Sequence, residues 1–418
     1  MEGQSSGTPA VPIVEPKEEA STNRRRHSRR RRSRRHAHAE AAPVTLTPVE
    51  GFLWRRDDGK AFLLPVHSRF HPSSDDPIVD PNLIGRWHLE SGLRLTATGA
   101  STNGGQRRTV AELAEIEGLP PEEYRQKAVP FAELVSIDPT SRFHLETDAS
   151  LLEPRVIELM TPIGKGQRCL IVSPPKAGKT TLLQQLAHAI AVNHPETQIF
   201  VLLVDERPEE VTHWKRSVIK GEVHASSSDE SIASHIEVSE MVLERARRLV
   251  ELGHDVVVFM DSLTRMSRAY NNAQKSSGRI MSGGIDARTM EKPRRFFGSA
   301  RNLEHGGSLT IIATCLVDTG SRMDEVIFQE FKGTGNMEII LTRDLFERRI
   351  FPCMNVPQSG TRKEEKLYSR PEVERIHLLR RALAALPPHE AMQLLLSRLK
   401  QTKSNAEFLA TIQPTNGR

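Results

Sequence analysis

The chain has 418 residues, 58 Lys and Arg against 53 Asp and Glu, and a formal net charge of +5. That length suits two or three domains, and no apolar run approaches the ~18 residues needed to cross a bilayer. Residues 1–43 hold nine arginines and Lys17 against five glutamates, so they carry the whole surplus and the remainder balances to zero; bulk charge therefore says nothing about the folded part.

The N-terminus lacks the apolar stretch of a secretory signal. Cys169, Cys315 and Cys353 show no CxxC spacing, so buried reduced thiols and a cytoplasmic location are expected. Aromatic residues make up 5% of the chain, which limits the base stacking its surface can offer.

Residues 1–43 are rich in Pro, Ser, Glu and Arg and lack periodic apolar positions, so a disordered tail is expected. Its centre, Arg24 to Arg35, has nine arginines in twelve positions. A solvated, self-repelling segment and a non-specific phosphate contact are both open readings. From Thr47 to Thr98, the runs GFLW, AFLLPV and LRLTA alternate with DDG, HPSSDD and DPN turns. This spacing predicts a small antiparallel barrel within residues 44–110. A short helix from Val110 to Ile116 and a Pro-punctuated connector are expected over 111–150.

The texture changes near Leu151. CLIV (169–172), IFVLLV (199–204), VVVFM (256–260), LTIIAT (309–314) and EIIL (338–341) alternate with helical patterns from Thr180 and over Ser239–Leu252. Alternation of nearly continuous Val/Ile/Leu runs with helices predicts an α/β fold, a doubly wound and mostly parallel sheet. Two or three helices close residues 151–418 after Glu372.

The strongest chemical signal is Ser173-Pro-Pro-Lys-Ala-Gly-Lys-Thr-Thr181, directly after CLIV and before a helix. A strand to aim the loop, backbone N–H groups and a helix N-terminus together make a phosphate cradle. Lys179 then reaches the β- and γ-phosphates of ATP, and the Thr180 hydroxyl holds Mg²⁺. Ser173 stands where this motif usually has glycine. After VVVFM comes Asp261, suited to the Mg²⁺ shell; after IFVLLV come Asp205 and Glu206, and Glu206 is placed to orient the attacking water. Arg348–Arg349 and Arg362 are candidates for positive charge on the transition state. The loops Ser276–Gly284 and Asp318–Arg322 each offer glycines and one arginine, which fits either solvent-exposed turns or a grip on a sugar-phosphate chain.

PPKAGKT, VDERPEEVT, KGEV, MDSLTRMSRAYN, GGSLTIIAT, DTGSRMDEVIFQEFKGTGNME and SGTRKEE together resemble the bacterial transcription termination factor Rho family, densely from Glu153 to Ile412 and more weakly from Thr47 to Thr98. The resemblance implies a RecA-like P-loop ATPase domain behind an OB-type RNA-binding barrel. It further implies a homohexameric ring acting as an RNA translocase and RNA–DNA helicase, with single-stranded RNA and RNA polymerase as partners. It makes Arg362 an arginine finger for the neighbouring subunit's ATP and adds Arg207 to the nucleotide site. It stacks Phe351 on the adenine. Gly164, Lys165, Gly166, Gln167, Arg168 and Cys169 are placed on the nucleotide site, with Lys176, Ala177, Gly178 and Thr181 of the loop. Arg279, Ile280, Gly284 and Arg322 become a central-channel RNA grip, with arginine where the family usually shows lysine. In the barrel, Lys60, Phe62, Leu64 and Ile78 fall on the family's RNA-binding positions, but one aromatic, an arginine and a stacking tyrosine are replaced. Upstream, where the family has a helical bundle, this chain has the arginine-rich segment, which is expected to compensate in part. A related ring ATPase of rotary or secretion type, or a non-catalytic RNA-binding protein, are the alternatives that the intact Lys179, Thr180, Glu206 and Asp261 and the two glycine-rich loops weigh against.

Overall fold

The computed structural model describes residues 44–412 except 57, 103–107, 275–283 and 287. The tail over 1–43 and the channel residues Arg279 and Ile280 lie outside the described residues.

Five strands close a barrel in the order β1-β2-β3-β5-β4: β1 (Val44–Arg55), β2 (Ala61–Pro65), β3 (Ile78–Val79), β4 (Arg94–Thr102) and β5 (Thr109–Ile116), with helix α1 (Pro81–Trp87) after β3. Leu53, Leu63, Val79, Leu95, Val110 and Ile116 fill it. The β1–β2 hairpin is apolar without alternation because both of its faces are buried. Phe52, Trp54, Phe62 and Leu64 point away from the barrel interior and join a second core with Val238, Met241 and Val242.

The helix expected over Val110–Ile116 is strand β5 instead. Its pairing with β4 shifts register twice, between Thr96/Ala97 and between Thr98/Gly99. Each shift inserts an extra residue into β5, so Val110, Leu113 and Ile116 recur every third position while staying on the barrel side. A period of three made by bulges looks helical in sequence.

Helix α2 (Pro121–Lys127), strand β6 (Ser136–Ile137) and helix α3 (Leu152–Met160) lead into the second layer system. Its elements run β7 (Arg168–Ser173), α4 (Lys179–Asn193), β8 (Gln198–Glu206), α5 (Pro208–Ser217), β9 (Glu222–Ser227), α6 (Ile232–Glu251), β10 (Asp255–Asp261), α7 (Leu263–Ala273), α8 (Glu291–Gly298), β11 (Arg301–Leu303), β12 (Ser308–Leu316), α9 (Arg322–Lys332), β13 (Met337–Ile340), α10 (Arg343–Glu347) and β14 (Gly360–Thr361). The strands pair in the order β14-β13-β7-β12-β10-β8-β9, parallel from β13 to β9 and antiparallel at β14, while β11 pairs antiparallel with β12 and with β6. Helices cover both faces, which explains why Val256–Met260 and Leu309–Ala313 are apolar at nearly every position and buried.

Helices α11 (Arg370–Ala384), α12 (Pro388–Leu399) and α13 (Asn405–Ala410) close the chain. They are tied down by Arg155 of α3, which is fully buried. Its guanidinium donates to the Leu399 and Thr402 carbonyls, the Thr402 hydroxyl and Asn405 Oδ1, and lies 3.2 Å from Glu146. Groups of the held segment together with Glu146 satisfy the guanidinium, which is the condition under which burying it is tolerable. Among the described residues, no helix is long and apolar enough to cross a membrane.

Candidate nucleotide site

Strand β7 ends at Ser173, and residues 174–178 turn the chain into α4. The turn uses left-handed backbone at Lys176 (φ 64°) and at Gly178 (φ 81°). Gly178 is the N-cap of α4, and no side chain caps that end. The first-turn amides therefore face the loop without a protein acceptor from a capping side chain, the arrangement that suits an anion.

Strand order then determines what faces the loop. Strand β12 lies between β7 and β10, so Thr314 at its end sits beside Asp261 at the end of β10. Lys179 Nζ donates to both Asp261 oxygens at 2.7 and 2.6 Å and lies 3.6 Å from Glu206 Oε1. Thr180 Oγ1 donates to Asp261 Oδ2 at 3.3 Å, and Thr314 Oγ1 to Asp261 Oδ1 at 2.7 Å. The sequence-predicted Lys179, Thr180, Glu206 and Asp261 are thus one cluster. Thr314 is a further member, and finding it required the strand order.

Arg265 is another residue that sequence motifs left out. It lies one turn into α7 after Asp261, donates to the Asp205 carbonyl at 2.5 Å, and places Nε 3.1 Å from Glu206 Oε1. Asp205 itself has φ 55°, which turns the chain so that Glu206 faces Lys179 while Asp205 takes Arg265. The spacing Asp261-x-x-x-Arg265 in a helix start was the only available signal.

Burial dominates the electrostatics of Glu206. Its carboxyl is raised to about 7, first by desolvation and then by the Asp261 carboxylate, against the pull of Lys179 and Arg265. Glu206 Oε1 is buried and makes ionic contacts but no hydrogen bond. Such a carboxyl exchanges its proton near neutrality. For Lys179, burial works against the charged form, but Asp261 and Glu206 outweigh it and raise its pKa. Thr180 and Asp261 offer the hard oxygen donors that Mg²⁺ prefers, and the 3.3 Å between their oxygens fits a shared ion.

Other predicted residues divide between the two ends of the sheet. At the phosphate-loop end stand Arg207, exposed at the start of α5 and 3.9 Å from Glu210, and Phe351, 39% exposed and edge-on to Phe346 at 5.9 Å. Arg348 pairs with Asp344 at 2.8 Å, and Arg349 lies over the Phe346 ring. Arg322 stands at the first position of α9; Asp324 pins that turn through Thr319 and Arg268. Gly284 is exposed with φ 78°.

The opposite end holds Gly164–Cys169, away from the phosphate loop of their own chain. They precede or begin β7, about 16 Å of strand away from Ser173. Gly166 (φ 90°) is pressed on β11, where a Cβ would meet Asn302 N at 2.1 Å. Gln167 and Arg168 donate to Asn336, Lys165 pairs with Asp255 at 2.6 Å, and Cys169 is fully buried with its thiol raised by desolvation. Arg362 belongs to this end too: its N–H donates to the Asn336 carbonyl, and burial together with Arg362 lowers the pKa of Arg168. Arg362 is exposed and stands a strand length from its own Lys179.

In the barrel, Lys60 is exposed and Ile78 half-buried, but Phe62 is only 6% exposed and Leu64 is fully buried. Phe62 and Leu64 are core residues rather than open base platforms, because the outer face of β2 packs against α6.

Residues 154–361 match the nucleotide-binding domain of the ATP synthase alpha/beta family. The fold is also that of a type III secretion ATPase (TM-score 0.55, 18% identity, 67% of this chain and 86% of that one) and of the ATP synthase subunit NeqB of Nanoarchaeum equitans (TM-score 0.56, 17% identity, 66% and 76%). Transcription termination factor Rho of Micrococcus luteus is 48% identical over 88% of this chain, and that of Streptomyces lividans 51% over 88%. The chain spans about half the length of these two relatives, 55% and 52%. Rho of Cereibacter sphaeroides is 47% identical over 86% of both chains. With its phosphate loop, paired acids and distal arginine in place, the chain belongs to the transcription termination factor Rho family.

Proposed function

We propose that this chain is an RNA-stimulated ATPase that translocates along single-stranded RNA, separates RNA–DNA hybrid and terminates transcription by RNA polymerase in the cytoplasm. The observation that carries this reading is the split of charged groups between the two ends of β7. Lys179, Glu206 and Asp261 stand at one end, with an arginine that cannot reach them at the other. Such an arrangement completes itself between subunits joined head to tail, and the homohexameric ring is carried over from the resemblance to the family.

In this reading the Lys179 ammonium transfers from Asp261 to the β- and γ-phosphates. Thr180 and Asp261 would hold Mg²⁺, which when bound would neutralise charge on the β- and γ-phosphates. Glu206 accepts a proton from the water that attacks the γ-phosphorus, the bond to the β-γ bridging oxygen breaks, and ADP leaves. Arg362 of the neighbouring subunit and Arg207 stabilise the charge, and Phe351 stacks on the adenine. Gln167 and Arg168 act through Asn336 to position Arg362. Arg279, Ile280, Gly284 and Arg322 contact the RNA in the channel, and the tail adds phosphate contacts. ATP hydrolysis measured alone, with polycytidylate and with polyadenylate tests this: stimulation by at least one RNA is expected, and identical rates in all three would refute it.

A further inference from the structure

A cavity of about 1210 Å³ opens between the barrel and the motor layer, walled by Trp54, Arg56, Phe131, Arg247, Arg295 and Arg301. A second, of about 620 Å³, adjoins it and shares Trp54, Arg55, Arg56, Glu240 and Lys292. Together they form one groove running from β1 along α6 to Ala273 at the end of α7.

Across the two cavities seven cations face six carboxylates, and the surplus is confined to the larger one, where seven cations face four glutamates. Arg55 pairs with Glu90 at 3.0 Å, Lys292 with Glu240 at 2.7 Å, Arg247 with Glu244 at 2.7 Å and Arg248 with Glu251 at 2.9 Å. Those four pairs use every glutamate of the larger cavity; the smaller cavity adds Asp58, 3.8 Å from Lys60, and Glu237, whose charged form Arg56 favours. Among the described residues, Arg56, Arg295 and Arg301 then have no carboxylate within ion-pair distance. The excess is felt by its neighbours: burial, reinforced by Arg295, Arg248 and Arg301, lowers the pKa of Arg247 against the effect of Glu244. Burial and Arg168 likewise lower that of Arg301.

Three of the four aromatic rings of the groove are already used, and the fourth, Phe296, is buried. Arg56 lies 5.1 Å over Trp54, Arg301 lies 4.6 Å over Phe131, and Lys292 lies 6.0 Å from Tyr270. All three rings are 7% exposed. They fix cations in place and leave no open face for a base. A groove of this kind recognises phosphates without reading sequence.

We infer that this groove holds a run of phosphates of single-stranded RNA, with Arg56, Arg295 and Arg301 as the contacts. The inference rests on the RNA reading above and adds to it a base-independent site outside the barrel and the channel loops.

The test is fluorescence anisotropy on the full chain, with labelled oligocytidylate and oligoadenylate titrated over a range of salt. Arg56→Ala/Arg295→Ala should weaken both RNAs by about tenfold and lower the salt slope by about 1.4, at ~0.7 per neutralised phosphate of a single strand. Arg56→Lys/Arg295→Lys should restore the slope. Unchanged affinity and slope, a loss confined to oligocytidylate, or weaker binding at unchanged slope each overturn the inference. So does competition in which GTP binds wild type but not the Ala variant while both RNAs bind the two proteins equally. Failure of RNA to stimulate wild-type ATP hydrolysis refutes the proposed function; a stimulated wild type beside an unaffected variant refutes the groove alone.

Discussion

Lys179 Nζ sits 2.6 Å from Asp261 Oδ2 and 3.6 Å from Glu206 Oε1, one ammonium serving two buried carboxylates. Removing it leaves two negative charges facing each other in a largely buried site. Lys179→Ala is expected to lower ATP turnover at least about a hundredfold and to reduce stability. Steady-state hydrolysis and a thermal melt check both; turnover surviving the change would contradict the assignment.

Glu206 makes the second prediction. Its carboxyl is raised to about 7 from the ordinary 4.5, so between those values the folded chain binds a proton that the unfolded chain releases. The contribution of this group to stability therefore falls as pH rises through that window. Glu206→Gln should abolish hydrolysis yet melt higher than wild type, by up to about 3 kcal/mol of stability above neutral pH and by little near pH ~5. Melts at the two pH values read the gap; a gap that narrows as pH rises would contradict the account.

The barrel separates packing from binding. Phe62→Ala opens a void in a core shared by barrel and motor layer and should cost about 3–5 kcal/mol. Lys60→Ala, at an exposed turn, should leave stability within about 0.5 kcal/mol and weaken RNA binding. Chemical denaturation and RNA titration of both variants check this, and a Phe62→Ala protein of normal stability with reduced RNA affinity would reverse the roles.

Much of the site was legible because each key group ends a contiguous strand motif: Lys179 after CLIV, Glu206 after IFVLLV, Asp261 after VVVFM. Those runs are apolar on both faces, and a buried parallel sheet explains such runs simply. Thr314 and Arg265 were not legible, since their roles depend on β12 lying beside β10 and on the turn at Asp205. That Gly164–Cys169 stand at the far end of the sheet was not legible for a related reason. Adjacency in sequence to the phosphate loop hides a full strand length in space. In β5, bulges mimicked a helix, and at Phe62 an apolar run carried no sign of which face the motor layer would cover.

The arginine-rich tail makes a prediction by charge alone. Deleting residues 1–43 removes nine arginines and should lower both RNA affinity and its salt dependence, by about 0.7 in slope for each phosphate that is no longer neutralised. Titrations at two salt concentrations suffice; superimposable curves would remove the tail from the RNA-binding account.

The central claim is that one nucleotide site is built from two subunits, Lys179 of one and Arg362 of the next. Mixing Lys179→Ala and Arg362→Ala proteins, each inactive alone, tests it directly. Random assembly into rings should regenerate intact sites at about a quarter of the interfaces, and RNA-stimulated ATP hydrolysis should reappear on mixing in that proportion. A mixture as inactive as its two components, under conditions where subunits exchange, would contradict the account.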